Sequence, residues 1–425
     1  MPRTAPPSPA QAPFRWPSLA AAVALALCAA PAAASAGEPA PAPAPRPAAA
    51  TAEGAPGKGL RVTSADGNFS MNLRGRIQLR SQLAAPPPVE EGGEREPTLI
   101  AKVNTARIFM TGHTLSPDVQ YVVQLAVAPN DYRDGTISPV YDAYLDLTHN
   151  PNASLRVGQI FVPFDRARTI REFALQLPDR QRVVSELSLD RDLGAYLYSD
   201  HLGGDSSIFA YRLGVFGGGG PNAAVAKEPG MLSVARVELR PLGAMDDDQE
   251  GDLTRTPSPR LALGAAAAYN LNTNRARSTT STTYTANTAD YTHLAADLVF
   301  KWRGAALLGQ VMSRSAAEDK LVGEDAEGAK VTEWARSGWG WFVQPSTMLV
   351  KDLELAGRYG QLQAAEGTDQ AFVDEVEAFG HEAGAGLNWY ENGHRFKVQA
   401  GWATRWGEEF SAADHSASLL VDVMF

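Results

Sequence analysis

From Asn68 to Phe425 the chain repeats one unit: about ten residues of alternating apolar and polar character, then a break rich in Gly, Pro, Asn or Asp. Alternation of this period places apolar side chains on one face of a strand and polar ones on the other. In 69–80 one face carries Phe69, Met71, Leu73, Ile77 and Leu79, and the other carries Ser70, Asn72, Arg74, Arg76, Gln78 and Arg80. The pattern predicts strands at 68–82, 98–114, 118–128, 140–148, 153–162, 193–201, 206–217, 231–241, 260–271, 290–302, 303–315, 336–349, 351–362, 378–390, 394–407 and 414–425. These are sixteen, an even number.

The breaks alternate in length. Ser116-Pro117, Asn150-Pro151-Asn152, Gly203-Gly204-Asp205, Arg303-Gly304, Lys351-Asp352 and Glu391-Asn392-Gly393 are tight, whereas 83–97, 129–139, 163–192, 218–230, 272–289, 316–335 and 363–377 are long. The acidic break 242–259 is the exception, falling on the side that should be short. Short turns at one end and long loops at the other, with about ten residues per strand, predict an all-β fold, a transmembrane antiparallel β-barrel of about 16 strands. A soluble sandwich would also alternate, but its polar faces mix charges toward bulk water rather than setting three arginines in one row. The row suggests a lumen.

Leu419, Val421, Val423 and the final Phe425 share one face, the kind of aromatic-ended strand by which barrel-assembly machinery recognises outer-membrane barrels. Trp302, Trp339, Trp341, Trp389, Tyr390, Trp402 and Trp406 lie near strand ends, where aromatic girdles form at the headgroup level.

Composition adds an export address. Arg3 and Arg15 precede the apolar run Leu19 to Ala34, which ends at Ala34-Ser35-Ala36, the layout of a cleaved signal peptide over 1–36. The single cysteine, Cys28, lies inside that segment, so the mature chain is expected to carry no thiol, disulfide or thiolate metal site. Residues 37–59 are almost all Pro, Ala and Gly and read as a disordered linker, which places the barrel domain at 60–425. Net charge is −10, which argues against nucleic acid as a partner, yet only eight of the 38 basic residues are lysines.

The chain resembles the phosphate-selective porin O/P family from about Gly59 to Phe425. The resemblance is carried by Ser64-Ala65-Asp66-Gly67-Asn68-Phe69 leading into Leu73-Arg74-Gly75-Arg76-Ile77-Gln78, by Ala106-Arg107-Ile108 with Gly112 and Ser116-Pro117, by Val157-Gly158-Gln159-Ile160-Phe161-Val162-Pro163-Phe164, and by Arg191-Asp192-Leu193-Gly194. It implies a homotrimeric, sixteen-stranded porin in the bacterial outer membrane, embedded in its lipid and passing phosphate or polyphosphate along basic side chains. Few lysines are present, and no lysine matches the family's constriction lysine.

The 30-residue break 163–192 is the third long one, and in general porins the third long loop folds inward and narrows the barrel. From Arg166 to Arg182 it holds Arg166, Arg168, Arg171, Arg180 and Arg182 against Glu172 and Asp179, an excess that vanishes over the full loop once Asp165, Glu186, Asp190, Asp192 and Arg191 are counted. With Arg74, Arg76, Arg80, Arg107 and Arg156 on strands, these are the expected anion-binding residues of a water-filled pore. Arg212, Arg236, Arg358, Arg395 and Arg405 extend the ladder. Arginine suits the role because its planar fork pairs bidentately with phosphate oxygens and stays charged. The competing reading pairs these arginines with inward carboxylates such as Asp146 and Glu238, bracing the wall.

No cofactor, metal or catalytic residue is expected: G-x-S-x-G, H-E-x-x-H and G-x-x-x-x-G-K-[ST] are all missing from the sequence. Asp246 to Asp252 begins like a calcium loop, but Pro257 stands where the final Glu is required, so a solvated acidic turn is expected. Gly217 to Gly220 reads as a flexible loop. A general-diffusion porin and a closed structural barrel are the alternatives; the latter would need bulky apolar packing on the inward faces, which read as polar and charged.

Overall fold

The computed structural model describes residues 49–88, 93–133, 136–137, 139–204, 207–222, 229–325 and 327–425. The expected signal peptide and most of the expected linker lie outside them. Among the described residues sixteen strands form the barrel wall: β1 (Ser70–Ala85), β2 (Thr98–Thr114), β3 (Ser116–Ala126), β4 (Val140–Leu147), β5 (Ser154–Phe161), β6 (Arg191–Ser199), β7 (Phe209–Phe216) and β8 (Met231–Leu239), followed by β9 (Arg260–Thr273), β10 (Ala289–Trp302), β11 (Ala305–Ala316), β12 (Gly338–Val350), β13 (Leu353–Ala364), β14 (His381–Tyr390), β15 (Phe396–Trp406) and β16 (Asp414–Met424). Each pairs antiparallel with the next, and β16 returns to β1 from His415 opposite Ala85 to Met424 opposite Arg76. Closure leaves no unpaired edge in the wall, so every main-chain group finds a partner without water.

The two faces of the wall separate as the alternation requires. On β1, Leu79 is 51% exposed while its neighbours Gln78 and Arg80 are buried. Leu145, Leu193, Val215, Leu294, Leu355 and Leu419 point outward in the same way. An apolar belt running round the outside is stable only against lipid. Trp302, Trp339, Trp389 and Trp402 are exposed on this outer face, but Tyr390 is not: it is 2% exposed and its hydroxyl donates inward to Glu354 at 2.6 Å. Tyr390 therefore leaves the expected girdle, because the alternation of β14 puts it on the opposite face from Trp389.

A two-stranded hairpin, Thr51–Ala55 against Gly59–Thr63, precedes the wall and pairs with the start of β1, Leu60 opposite Leu73. It begins inside the segment that composition assigned to a disordered linker. The proline-dense stretch ends at Pro47, and Pro56-Gly57 does local work: Lys58 N donates to Ala55 O at 2.9 Å, with Gly57 at φ +69°. Pro at the second and Gly at the third position are what a type II turn needs. Main-chain pairing then orders residues whose side chains bury nothing.

The inward faces are not uniformly polar, which corrects the expectation drawn from the strand patterns. On the β5 to β13 side, Tyr196, Phe216, Leu232, Val234, Ala266, Ala268, Val299, Leu308, Met312 and Phe342 point inward and form one buried apolar cluster with Phe164, Ala167, Val183, Val184, Leu187 and Leu189 of the 162–190 loop. A half-wet barrel has this option because a loop lying inside it offers an apolar surface to bury, and the hydrophobic effect does not distinguish lumen from core.

Candidate functional site

Among the described residues, one segment from each end of the barrel reaches into the lumen and shapes its passage. The loop between β5 and β6 carries two short helices, α1 (Arg166–Thr169) and α2 (Arg182–Leu187), and hydrogen-bonds to inward residues around the wall. Ala167 N donates to Gln310, Gln176 Nε2 to Ser346 and Glu354, and Arg80 to Asp179, while Lys397 donates to the carbonyls of Phe173 and Leu175. Asp165 caps α1 by accepting from Arg168 N at 2.8 Å.

The second is the acidic segment after β8, entering from the short-turn end. It is not a solvated turn: Asp247, Glu250 and Asp252 are buried. Glu250 accepts from Gln176 N at 2.7 Å, Gln344 at 2.7 Å and Gln181 at 3.1 Å, and Asp247 accepts from Arg166 and Arg240. Asp252 fixes the return by accepting from Thr256 N and Gly304 N. The carboxylates are drawn in because the loop presents donors that would otherwise be buried without partners. Gly217 to Gly220 is likewise pinned rather than free: Gly218 N donates to Asp192 at 2.6 Å and its carbonyl accepts from Asn270 and Thr273.

The ten expected anion-binding arginines divide accordingly. Arg166 is an anchor, 4% exposed and bonded to Asp297 at 2.8 Å and Asp247 at 2.7 Å, with Glu238 at 3.5 Å. Arg76 pairs with Asp422, Arg107 with Asp131 and Arg156 with Asp146, all on the wall or its adjoining loop. Arg80 binds Asp179, Arg168 binds Asp190 at 2.5 Å, Arg171 binds Asp142 at 2.9 Å, and Arg182 binds Glu375 of α3 (Gln370–Phe379) at 3.0 Å. Burial would raise the Asp190 carboxyl, but Arg168 and Arg191 override it and hold it well below the usual carboxylate range.

Among the described residues two of the ten have no carboxylate within 4 Å. Arg74 lies near the Phe109 ring, 5.8 Å from its centroid, with its Nε unpartnered. Arg180 donates to the carbonyls of Ala167 and Ile170, and burial, with Arg168 close by, pushes its guanidinium down to about 10, still charged at neutral pH. Of the further ladder, Arg236 braces Glu238 and Asp297, Arg212 binds Asp200 and Glu238, Arg358 binds Glu382, and Arg405 binds Asp414, while Arg395 sits in the β14–β15 turn.

Three spaces share walls along the remaining passage. Toward the long loops lies a cavity of about 430 Å³ lined by Asp179, Arg180, Arg182, Arg358, Glu382 and Arg405 among others. Toward the short turns lies one of about 410 Å³ lined by Arg156, Arg171, Arg212, Glu238, Arg240 and Asp247 among others. Between them is a gap of about 30 Å³, where Arg76, Arg168, Arg171, Arg180 and Arg191 stand around Glu172, with Phe109, Tyr141, Phe161 and Phe173 behind. Arg180 lines both the long-loop cavity and the gap, and Phe161 and Arg171 line both the gap and the short-turn cavity. At about 10–15 Å³ per water the gap admits roughly two.

No family model matches the chain, and no curated protein matches it in sequence. Solved structures do. A Salmonella typhi OmpF in complex with daunomycin aligns at TM-score 0.52 with 12% identity, covering 84% of this chain and 98% of its own. A loop-deletion form of OmpT, an outer-membrane protein of Vibrio cholerae, aligns at 0.51 with 11% identity over 84% and 100%. The outer-membrane channel DcaP of Acinetobacter baumannii aligns at 0.50 with 12% identity over 84% and 98%. The likeness is one of fold.

Sequence reasoning named two of the bracing carboxylates, Asp146 and Glu238, which do pair with arginines, but missed the others. Asp422 shares the parity opposite to Val421 and Val423 on β16, and Asp142 and Asp297 lie on strands, so alternation could have flagged each as a strand carboxylate. Arg191 entered only as loop charge and as part of a family motif, yet it lines the gap, its guanidinium 3.6 Å from the Tyr141 ring centroid and 3.7 Å from that of Phe161.

Proposed function

We propose that this protein is a bacterial outer-membrane channel for small anions, phosphate or similar oxyanions among them, working through this narrow passage rather than a broad pore. The observation that carries this is the charge around the gap. Arg76, Arg107, Arg168, Arg171, Arg180 and Arg191 are balanced by four bonded carboxylates, Asp422, Asp131, Asp190 and Asp142, and by Glu172. One positive charge is left over where the path is narrowest. Selectivity is set at that place, since charges more than about 8–10 Å from a permeating ion are screened in physiological salt. The net charge of −10 says little about it.

The remaining features fit the same reading: a signal peptide at 1–36 for export, insertion through β16 and the Phe425 that follows it, an apolar belt against outer-membrane lipid, and a homotrimer as the family resemblance implies. A phosphate preference rests on that resemblance and on the arginine forks. A gap of about 30 Å³ argues against general diffusion of large solutes.

A second reading, a closed structural barrel, is favoured by the apolar cluster packed inside the wall. Planar-bilayer recording of purified protein separates the two. The channel reading expects discrete conductance steps in potassium chloride that inorganic phosphate reduces; folded protein that never conducts would establish the closed barrel.

A further inference from the structure

Glu172 stands apart from every other carboxylate near the gap. Asp142, Asp190 and Asp422 are each held in close hydrogen bonds by arginine and are nearly fully buried, 1–7% exposed. The Glu172 side chain is 40% exposed, and its contacts are long: 3.6 Å to Arg76, 4.0 Å to Arg107 and 3.3 Å to the Thr105 hydroxyl. It sits on a single helical turn, Glu172–Ala174, of the inward loop. The guanidiniums around it do not depend on it. Arg76 is fixed by Asp422, Arg107 by Asp131 and the Tyr141 face, Arg171 by Asp142, Arg180 by two main-chain carbonyls, and Arg191 by Asp142, Tyr141 and Phe161.

We propose that Glu172 is a tethered anion occupying a small-oxyanion site formed by Arg76, Arg107, Arg171 and Arg180, and that a permeating oxyanion enters the site by displacing it. The inference rests on the channel reading above and names its binding site. The six guanidiniums exceed their four bonded carboxylates by two charges, and Glu172 satisfies one of them. A site preorganised by aromatic faces and separate carboxylates needs no rearrangement when its anion changes. A tethered occupant lowers apparent affinity by the fraction of time it fills the site. It also prevents an entering oxyanion from being held too tightly to leave, the condition for conduction.

The test uses full-length protein in planar bilayers with inorganic phosphate as the probe, read as the concentration that halves the chloride current. If the tether fills the site about nine-tenths of the time, Glu172→Gln lowers that concentration about tenfold. Glu172→Asp keeps the charge but shortens the reach by one methylene, so it should also lower it, by a smaller factor. A mere contribution of Glu172 to the field in the passage would leave Glu172→Asp like the wild type. Equal half-blocking concentrations in conducting wild type and Glu172→Gln, or a wild-type value in Glu172→Asp, overturn the proposal. A folded wild type without conductance refutes the channel reading itself, and this inference with it.

Discussion

Arg166 Nε on the inward loop donates to Asp297 Oδ1 on β10 at 2.8 Å, and its Nη1 reaches Asp247 at 2.7 Å on the segment that enters from the other end. One side chain thus ties wall, loop and acidic segment together. Arg166, Arg168 and Arg171 look interchangeable along the loop, yet Arg166 is set apart by its burial among three carboxylates. Removing one partner from a buried pair leaves an uncompensated charge and costs about 3–5 kcal/mol. Arg166→Gln should therefore lower the midpoint of the heat-modifiable shift in electrophoretic mobility markedly. Arg171→Gln, at a side chain 36% exposed, should leave that midpoint nearly unchanged and reduce anion preference instead.

Phe425 is joined to Gly75 by a reciprocal pair of main-chain hydrogen bonds, 2.7 Å and 2.9 Å. A Cβ at position 75 would collide with the Phe425 ring, so the glycine makes room for the terminal aromatic. Gly75→Val should displace that ring and lower outer-membrane assembly, as should deletion of Phe425. Export should be unchanged in both, because its expected signal lies at the other end of the chain. Cell-surface level against periplasmic level is the readout, and equal surface levels would remove the role given to the terminal strand.

His394, in the turn between β14 and β15, provides a pH prediction. Burial pushes its imidazole down to about 3, with Lys397 adding to the effect. The folded protein therefore keeps it neutral where the unfolded chain, with an ordinary value of about 6.5, takes up a proton. Below about pH 6.5 the unfolded state binds more protons, so stability falls as pH falls toward 3 by about 1.4 kcal/mol per unit from this group. The slope of unfolding free energy against pH between 6 and 4 should be about one proton smaller in His394→Gln than in wild type. An unchanged slope would place His394 in water.

The acidic segment makes a conductance prediction. It holds the inward loop through Glu250 and neutralises Arg166 and Arg240 through Asp247. Replacing 243–256 by a two-residue turn of the Lys351-Asp352 kind should widen the short-turn end and strip carboxylates from it. Single-channel conductance and chloride preference should both rise. Unchanged conductance would mean that the segment does not lie along the path.

The wall was legible because the repeat of two is written directly in the side chains: Leu79 and Arg80 could face only opposite ways on β1. The alternating lengths of the breaks showed which end each loop occupies. What fills the lumen was hidden. Alternation tells which residues point inward but not whether they meet water, and the run Ala262 to Ala268 on β9 shows no contrast between its two faces. The pairing of arginines was hidden for a related reason. Arg166 and Asp297 are 131 residues apart, and charge counted along one loop cannot reveal neutralisation supplied by another strand. The hairpin was masked by composition, since main-chain pairing leaves no apolar pattern in Thr51-Ala52-Glu53-Gly54-Ala55.

The central claim is that permeation is governed by uncompensated arginine charge at a narrow gap. Reversal potential across a potassium chloride gradient tests it most directly, for wild type and for Arg180→Gln, which removes the guanidinium that has no carboxylate partner among the described residues and lines both the gap and the long-loop cavity. The account predicts a wild-type potential displaced toward the chloride equilibrium value and a variant displaced clearly less. A wild-type potential on the potassium side, or one that Arg180→Gln leaves unmoved, would contradict it.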